Sequence, residues 1–186
     1  MDMSPENSLV PYVDREGLFV LRSVGKFFGL AGIRLGFMLA KASYIRHAQR
    51  IIGPWAVSHP AQYIGQCALQ DTQWISQQRD DLKQQSQRLT ALLEYYFNVF
   101  SSLTANKAAE QNSVRIQATD LFCTVYFDQA QTLFYLLAEQ GILTRYLPPA
   151  TKTQAALRFG LPGKDEKNWN ILEDALLLIA KTIESN

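Results

Sequence analysis

The chain has 186 residues, 47% apolar and 19% charged, with eighteen basic against seventeen acidic side chains. That length allows one ordinary domain or two small ones, and the composition is that of a globular chain able to bury a core. A net charge of +1 leaves no clustered positive surplus for nucleic acid or an anionic membrane, and no apolar run approaches the roughly 20 residues of a spanning helix.

The opening MDMSPENS is acidic and polar, unlike a signal peptide, so a cytoplasmic location is expected. Residues 1–17 show little periodicity. Leu18–Leu21 and Arg34–Ala40 are short apolar, strand-like runs joined by a glycine-rich link, the pattern of a sheet buried on both faces. Tyr44–Ile52 reads as a short helix ended by Gly53-Pro54. Pro60 suits the first turn of a second helix reaching about Asp71. Thr72 to about Phe100 predicts a long helix: Trp74, Ile75, Leu82, Leu89, Leu92, Leu93 and Tyr96 recur at helical spacing, and the Gln-rich run 77–87 is its solvated face. Residues 101–113 read as a loop. SVRIQAT and LFCTVYF are strand-like; a helix over about 130–140 ends at Gly141. ILTRYL, a Pro-Pro loop, a strand in ALRFGLP and a helix from about Glu166 to Glu184 complete a small α+β unit.

Few residues carry obvious chemistry. Cys67 and Cys123 fit no metal spacing and are expected to be buried free thiols. His47 and His59 lack the partners of a metal pair or a triad. Trp55, beside Pro54, reads equally as a packing residue at the start of a helix.

The segment Arg22–Phe37, RSVGKFFGLAGIRLGF, places one lysine among glycines and apolar residues. It is not a nucleotide P-loop: Phe27 follows Gly25-Lys26 where a hydroxyl would be needed, and Val20 stands where the first glycine belongs. Nor does it match G-x-G-x-x-G. An amine in apolar surroundings loses hydration, is held neutral more readily, and becomes a nucleophile toward aldehydes. Ser23 and Arg34 are phosphate-binding residue types. Together they suit pyridoxal 5′-phosphate (PLP), which carries both an aldehyde and a phosphate. From residue types alone, an ordinary solvated lysine in a surface loop stays open, as do surface roles for Arg145 and Arg158.

The run S-x-x-K-x-x-G-L-x-G-x-R-x-G from Ser23 to Gly36 resembles the cofactor-lysine segment of fold-type I PLP enzymes. Within these it is similar to the histidinol-phosphate aminotransferase group, and most of all to its threonine-phosphate decarboxylase branch of cobalamin synthesis. GPWAVSHPA at 53–61 and LTRYLPPATKTQAALRFGLPG at 143–163 resemble that branch too, in the expected order. The resemblance implies an α/β fold holding the C-terminal part of such an enzyme: a large-domain remnant with the cofactor lysine over 1–52, linking helices over 53–100, and a small α+β domain over 101–186. It implies that Lys26 carries the cofactor and moves the substrate proton, and that Ser23 and Arg34 hold the cofactor phosphate. Arg158 would pair with the substrate carboxylate and Arg145 would lie near its distal phosphate, although YLPP after Arg145 departs from the commoner Arg-Pro. Trp55 would fall near the active-site mouth.

The resemblance also implies an aspartate at the pyridine nitrogen, with a tyrosine and an asparagine, upstream of this sequence; Asp2 is not that aspartate. Two function classes follow. One is a PLP enzyme acting on a phosphorylated amino acid, by decarboxylation or by amino transfer, homodimeric at full length, with this chain inactive alone. The other is a non-catalytic fragment or interaction module in which PLP is not bound. Open strand edges would favour self-association. No metal, nucleic-acid or membrane partner is expected.

Overall fold

The computed structural model describes residues 2–104, 114–150 and 154–185. The chain divides into two compact units, Met1–Arg79 and Asp80–Asn186.

In the first unit two single 3₁₀ turns, Pro5–Asn7 and Val10–Tyr12, precede strand β1 (Phe19–Ser23). β1 pairs antiparallel with β2 (Gly36–Ala40), Phe19 opposite Ala40 and Ser23 opposite Gly36. The two strands form a sheet by themselves. The expected burial on both faces is not met within this chain: Leu21 is 76% exposed and Phe19 48%. A two-stranded ribbon has too few neighbours to cover side chains composed for a sheet interior. Helix α1 (Ala42–Ile52) follows and stops at Gly53, and α2 (His59–Gln70) starts at Ser58, whose hydroxyl accepts from the Ala61 amide. Pro60 lies in its first turn, where a missing N–H costs nothing. Cys67 is exposed, contrary to expectation. It stands two residues from buried Gly65 and so about 200° round the helix.

Helix α3 (Thr72–Thr104) begins in the first unit and continues through the second. Its buried stripe, Leu82, Ser86, Leu89, Leu93, Tyr96, Phe97 and Phe100, follows the helical period read from sequence. Ser86 interrupts that apolar stripe without cost, because its hydroxyl donates to the Thr119 carbonyl at 2.9 Å. Residues 101–104 prolong this helix instead of opening the expected loop; 105–113 lie outside the described residues.

The second unit's sheet contains β3 (Arg115–Thr119), β4 (Phe122–Tyr126), β5 (Arg145–Leu147) and β6 (Ala156–Gly160), all antiparallel in the order β3-β4-β6-β5. Helix α4 (Ala130–Glu139) ends before Gly141, which takes a left-handed φ of 76°. Helix α5 (Glu166–Glu184) is capped by Asp165, whose carboxylate accepts from the Lys167 amide. Trp169 is buried behind that cap; its indole N–H reaches the Gly163 carbonyl at 2.8 Å, and Arg88 lies 4.3 Å over its ring while pairing with both oxygens of Glu166. The core brings α3, α4 and α5 onto one face of this sheet, with Val125, Leu157 and Phe159 pointing into it.

Two outcomes test this packing. Phe97 is fully buried and touches the rings of Phe127 and Phe159. Phe97→Ala is expected to cost about 3–5 kcal/mol of stability in urea unfolding; a loss below ~1 kcal/mol would contradict the core described. In the first unit Glu16 accepts from Lys41 Nζ at 2.7 Å and from the Tyr44 hydroxyl. Lys41 foremost, then Tyr44, hold the Glu16 carboxyl below its ordinary range, and Glu16 raises Lys41. The Glu16 contribution is present above the unfolded carboxylate pKa and is lost as pH falls through the lower folded value; that of Lys41 is lost only as pH rises through its raised value. The acid limb of the melting-temperature profile should therefore flatten in Glu16→Gln, and superimposable acid limbs would contradict the pairing.

Candidate functional site

The segment 24–35 is the loop that closes the β1–β2 ribbon. Its apolar residues anchor it. Val24, Phe27, Phe28 and Leu35 are buried, while Ser23, Lys26 and Arg34 are exposed. Phe27 and Phe28 meet edge to face at 5.0 Å, and both engage Trp74 in the first turn of α3, Phe28 stacking on it at 5.6 Å and 16°. Between the two anchors the backbone turns at Lys26, whose carbonyl accepts from the Gly29 amide at 3.0 Å; the Leu30 amide reaches Val24 at the same distance. Leu35 lies so close to α2 that a side chain at Gly65 would come 2.2 Å from its Cδ2. Lys26 thus stands on a turn fixed from below.

Two residues of phosphate-binding type flank this turn, Ser23 at the end of β1 and Arg34 near the start of β2. The Ser23 hydroxyl accepts from the Gly25 amide at 3.0 Å. Gly25 is needed for close approach: a Cβ there would lie 3.2 Å from Ser23 Oγ and 3.3 Å from Ala31 Cα. Arg34 is the one non-glycine with positive φ among the described residues, at 55°, and its guanidinium donates to the Ala31 carbonyl at 3.3 Å. Left-handed backbone at arginine costs about 1–2 kcal/mol and marks a position held by its surroundings. A hydroxyl, a guanidinium and a lysine amine on one short loop fit the phosphate and aldehyde of PLP by their chemistry. The apolar shell expected around Lys26 is not supplied by this loop, because Phe27 and Phe28 turn inward and leave the amine exposed. A cavity of about 240 Å³ beside Ser23, lined also by Arg22, Phe28, Met38 and Leu69, does not include Lys26 or Arg34. Asp2 is bound to Arg22 by an ion pair, and its carbonyl accepts from Arg79 at 2.6 Å.

In the second unit the strand register sorts the sheet into two faces. Leu157 and Phe159 face the helices; Arg158 faces away, in a row with Gln117, Thr124 and Arg145. Arg145 and Arg158 are direct cross-strand partners. Like charges in that relation, roughly 5 Å apart at Cβ, repel each other. Among the described residues neither arginine is in an ion pair. Two guanidinium groups on neighbouring strands, with no ion pair to either among the described residues, make this pair a candidate for anion recognition.

The remaining candidates carry less. Trp55 is 83% exposed, its ring 6.4 Å from that of His59, so it does not act as a packing residue. His47 is exposed, and no metal-ligand cluster occurs among the described residues. Cys123 is buried, which pushes its thiol up to about 11. No helix among the described residues is long and apolar enough to cross a membrane.

Comparison with known proteins gives the family. The family profile described as aminotransferase class I and II matches residues 3–176. The chain belongs to that family. It is 39% identical over 177 residues to a threonine-phosphate decarboxylase of Pseudomonas aeruginosa, covering 95% of this chain and 47% of that protein. It is 31% identical over 161 residues to histidinol-phosphate aminotransferase 1 of Legionella pneumophila, covering 87% and 40%. A solved histidinol-phosphate aminotransferase from Sinorhizobium meliloti, in complex with pyridoxal-5′-phosphate, shares the fold with a TM-score of 0.77 at 16% identity over 98% of this chain and 47% of that one. The chain spans about half the length of the curated relatives it matches. Its α/β architecture is the corresponding part of the PLP-dependent aminotransferase fold, as expected from the lysine segment.

Trp74 was read from sequence only as one member of a helical stripe; its role as the loop's anchor has no local signal. Trp74 is itself 37% exposed and acts through its ring contacts, so Trp74→Ala should raise hydrogen exchange at the Leu30 amide by about two- to tenfold, the scale of an aromatic pair worth roughly 0.5–1.5 kcal/mol. Unchanged exchange at Leu30 would show that the loop is held by something else.

Proposed function

We propose that this chain is the C-terminal portion of a PLP-dependent enzyme acting on a phosphorylated amino acid, with decarboxylation of threonine phosphate as the leading reaction. The observation that carries the reading is the anchored β1–β2 loop, with Lys26 exposed on its turn and Ser23 and Arg34 near its two ends. Support for the substrate class comes from the direct opposition of Arg145 and Arg158, which suits a molecule bearing a carboxylate and a phosphate close together.

In this reading Lys26 would hold the cofactor and would move a proton at the substrate Cα or at C4′. Ser23 and Arg34 hold the cofactor phosphate. PLP supplies an electron sink. Arg158 takes the substrate carboxylate through charged hydrogen bonds and Arg145 takes the distal phosphate. How this pair seats the two anions would orient the substrate Cα and so decide between loss of its carboxylate and loss of its proton. Histidinol-phosphate-type amino transfer is the second reading, favoured by the relatives of that name, and it would use the two arginines in separate half-reactions. Trp55 is placed at the active-site mouth. The 186-residue chain alone is expected to have little or no turnover, because the family's groups for the ring nitrogen belong to a part not represented in it; as a bare fragment it would serve as an interaction module. A cytoplasmic homodimer is proposed for the longer protein. The exposed apolar residues of β1 and β2 favour self-association of this chain.

The arginine roles separate by ligand. O-phospho-L-threonine carries a carboxylate and a phosphate; O-phosphoethanolamine carries only the phosphate. Arg158→Ala should weaken the first by about tenfold or more, as loss of a charged hydrogen-bonded pair costs roughly 1.5–3 kcal/mol, and leave the second nearly unchanged. Arg145→Ala should weaken both. Binding of O-phospho-L-threonine that survives the double substitution would sink the proposal.

A further inference from the structure

The guanidinium carbon of Arg158 lies 4.7 Å from the centre of the Phe122 ring. Phe122 is on β4, two residues before Thr124, the partner of Arg158 in register. The residue opposite Phe122 itself is Gly160, which has no side chain, and a Cβ built there meets nothing within 4 Å. The ring's face is therefore left uncovered by its own partner and is covered by the arginine two positions earlier on the same strand. On its other side Arg158 faces the like charge of Arg145.

We propose that Phe122 is a positioning residue for Arg158. This rests on the assignment of Arg158 to the substrate carboxylate. The ring's negative face attracts the guanidinium plane and gives it a resting place away from Arg145. A guanidinium held over a ring face makes no hydrogen bond to a carboxylate or carbonyl there, so its N–H donors stay available for an anion. Without the ring, Arg158 would sample many rotamers and would be driven from Arg145 into solvent. A carboxylate would then have to pay for ordering it. The strand pair thus holds one arginine in place by an aromatic face.

The test uses the 186-residue chain and two probes, O-phospho-L-threonine and O-phosphoethanolamine, followed by NMR titration of the arginine side-chain Nε–H signals. In the wild type the Arg158 Nε–H signal, identified by its loss in Arg158→Lys, should be displaced by the ring current of Phe122. Phe122→Leu should abolish that displacement and weaken O-phospho-L-threonine about three- to fivefold, the scale of an exposed cation–π contact, with O-phosphoethanolamine unaffected. Phe122→Tyr should restore both. Loss of the ring-current displacement with unchanged O-phospho-L-threonine binding, or equal weakening of both probes, would overturn the positioning role alone. Absence of any O-phospho-L-threonine binding by the wild type, with the displacement present, would instead overturn the carboxylate assignment on which it rests, and the positioning role with it.

Discussion

The packing of Phe27 and Phe28 against Trp74 is the interaction on which the candidate site depends. The two phenylalanines directly follow Lys26, so burying them fixes the lysine's backbone within one residue. Leu35 does the same for Arg34 by seating against α2 at Gly65. Each candidate side chain is thus exposed beside a buried apolar neighbour. A loop built only of polar residues and glycine would have no such fixed point, and ordering it would fall to the ligand.

The second unit reaches a similar result by sheet geometry. Period-2 alternation sends Val125, Leu157 and Phe159 into the core beneath the helices and turns Thr124 and Arg158 to the other face. Helices α3 and α5 make that placement rigid, and the Asp165 cap with Trp169 and Arg88 fixes where α5 begins. The opposed arginines are a local conflict that a chain selected for stability alone would relieve with a carboxylate. Conflicts of this kind concentrate where a ligand supplies the missing charge.

Much of the fold was legible because long elements announce themselves. The buried stripe of α3 follows its apolar spacing, and the final helix spans Glu166–Glu184 as read, with Asp165 before it as cap. The lysine segment was legible as a motif, and its phosphate-type residues do share one loop. What the sequence hid were contacts between residues far apart in the chain. Nothing near Trp74 says that it faces Phe28, and nothing near Phe122 says that Arg158 lies over it. Cys67 was misplaced because α2 has only a weak apolar stripe to orient it. The strands β1 and β2 read as fully buried since composition reports the sheet a strand is made for, whereas exposure depends on which neighbours are at hand. The end of α3 was set too early because SSLT is neutral in propensity and the helix continues on the packing of Phe100.

The central claim is that the anchored loop presents Lys26, with Ser23 and Arg34, to a phosphate-bearing aldehyde. The most direct measurement is an absorbance spectrum of the purified chain with PLP, then borohydride reduction and peptide mass mapping. The expected result is an absorbance band near the visible edge and a reduced adduct concentrated on Lys26, ahead of Lys83, Lys167 and Lys181, which are exposed too. Adducts scattered over those lysines in proportion to exposure, or no adduct on Lys26, would contradict it.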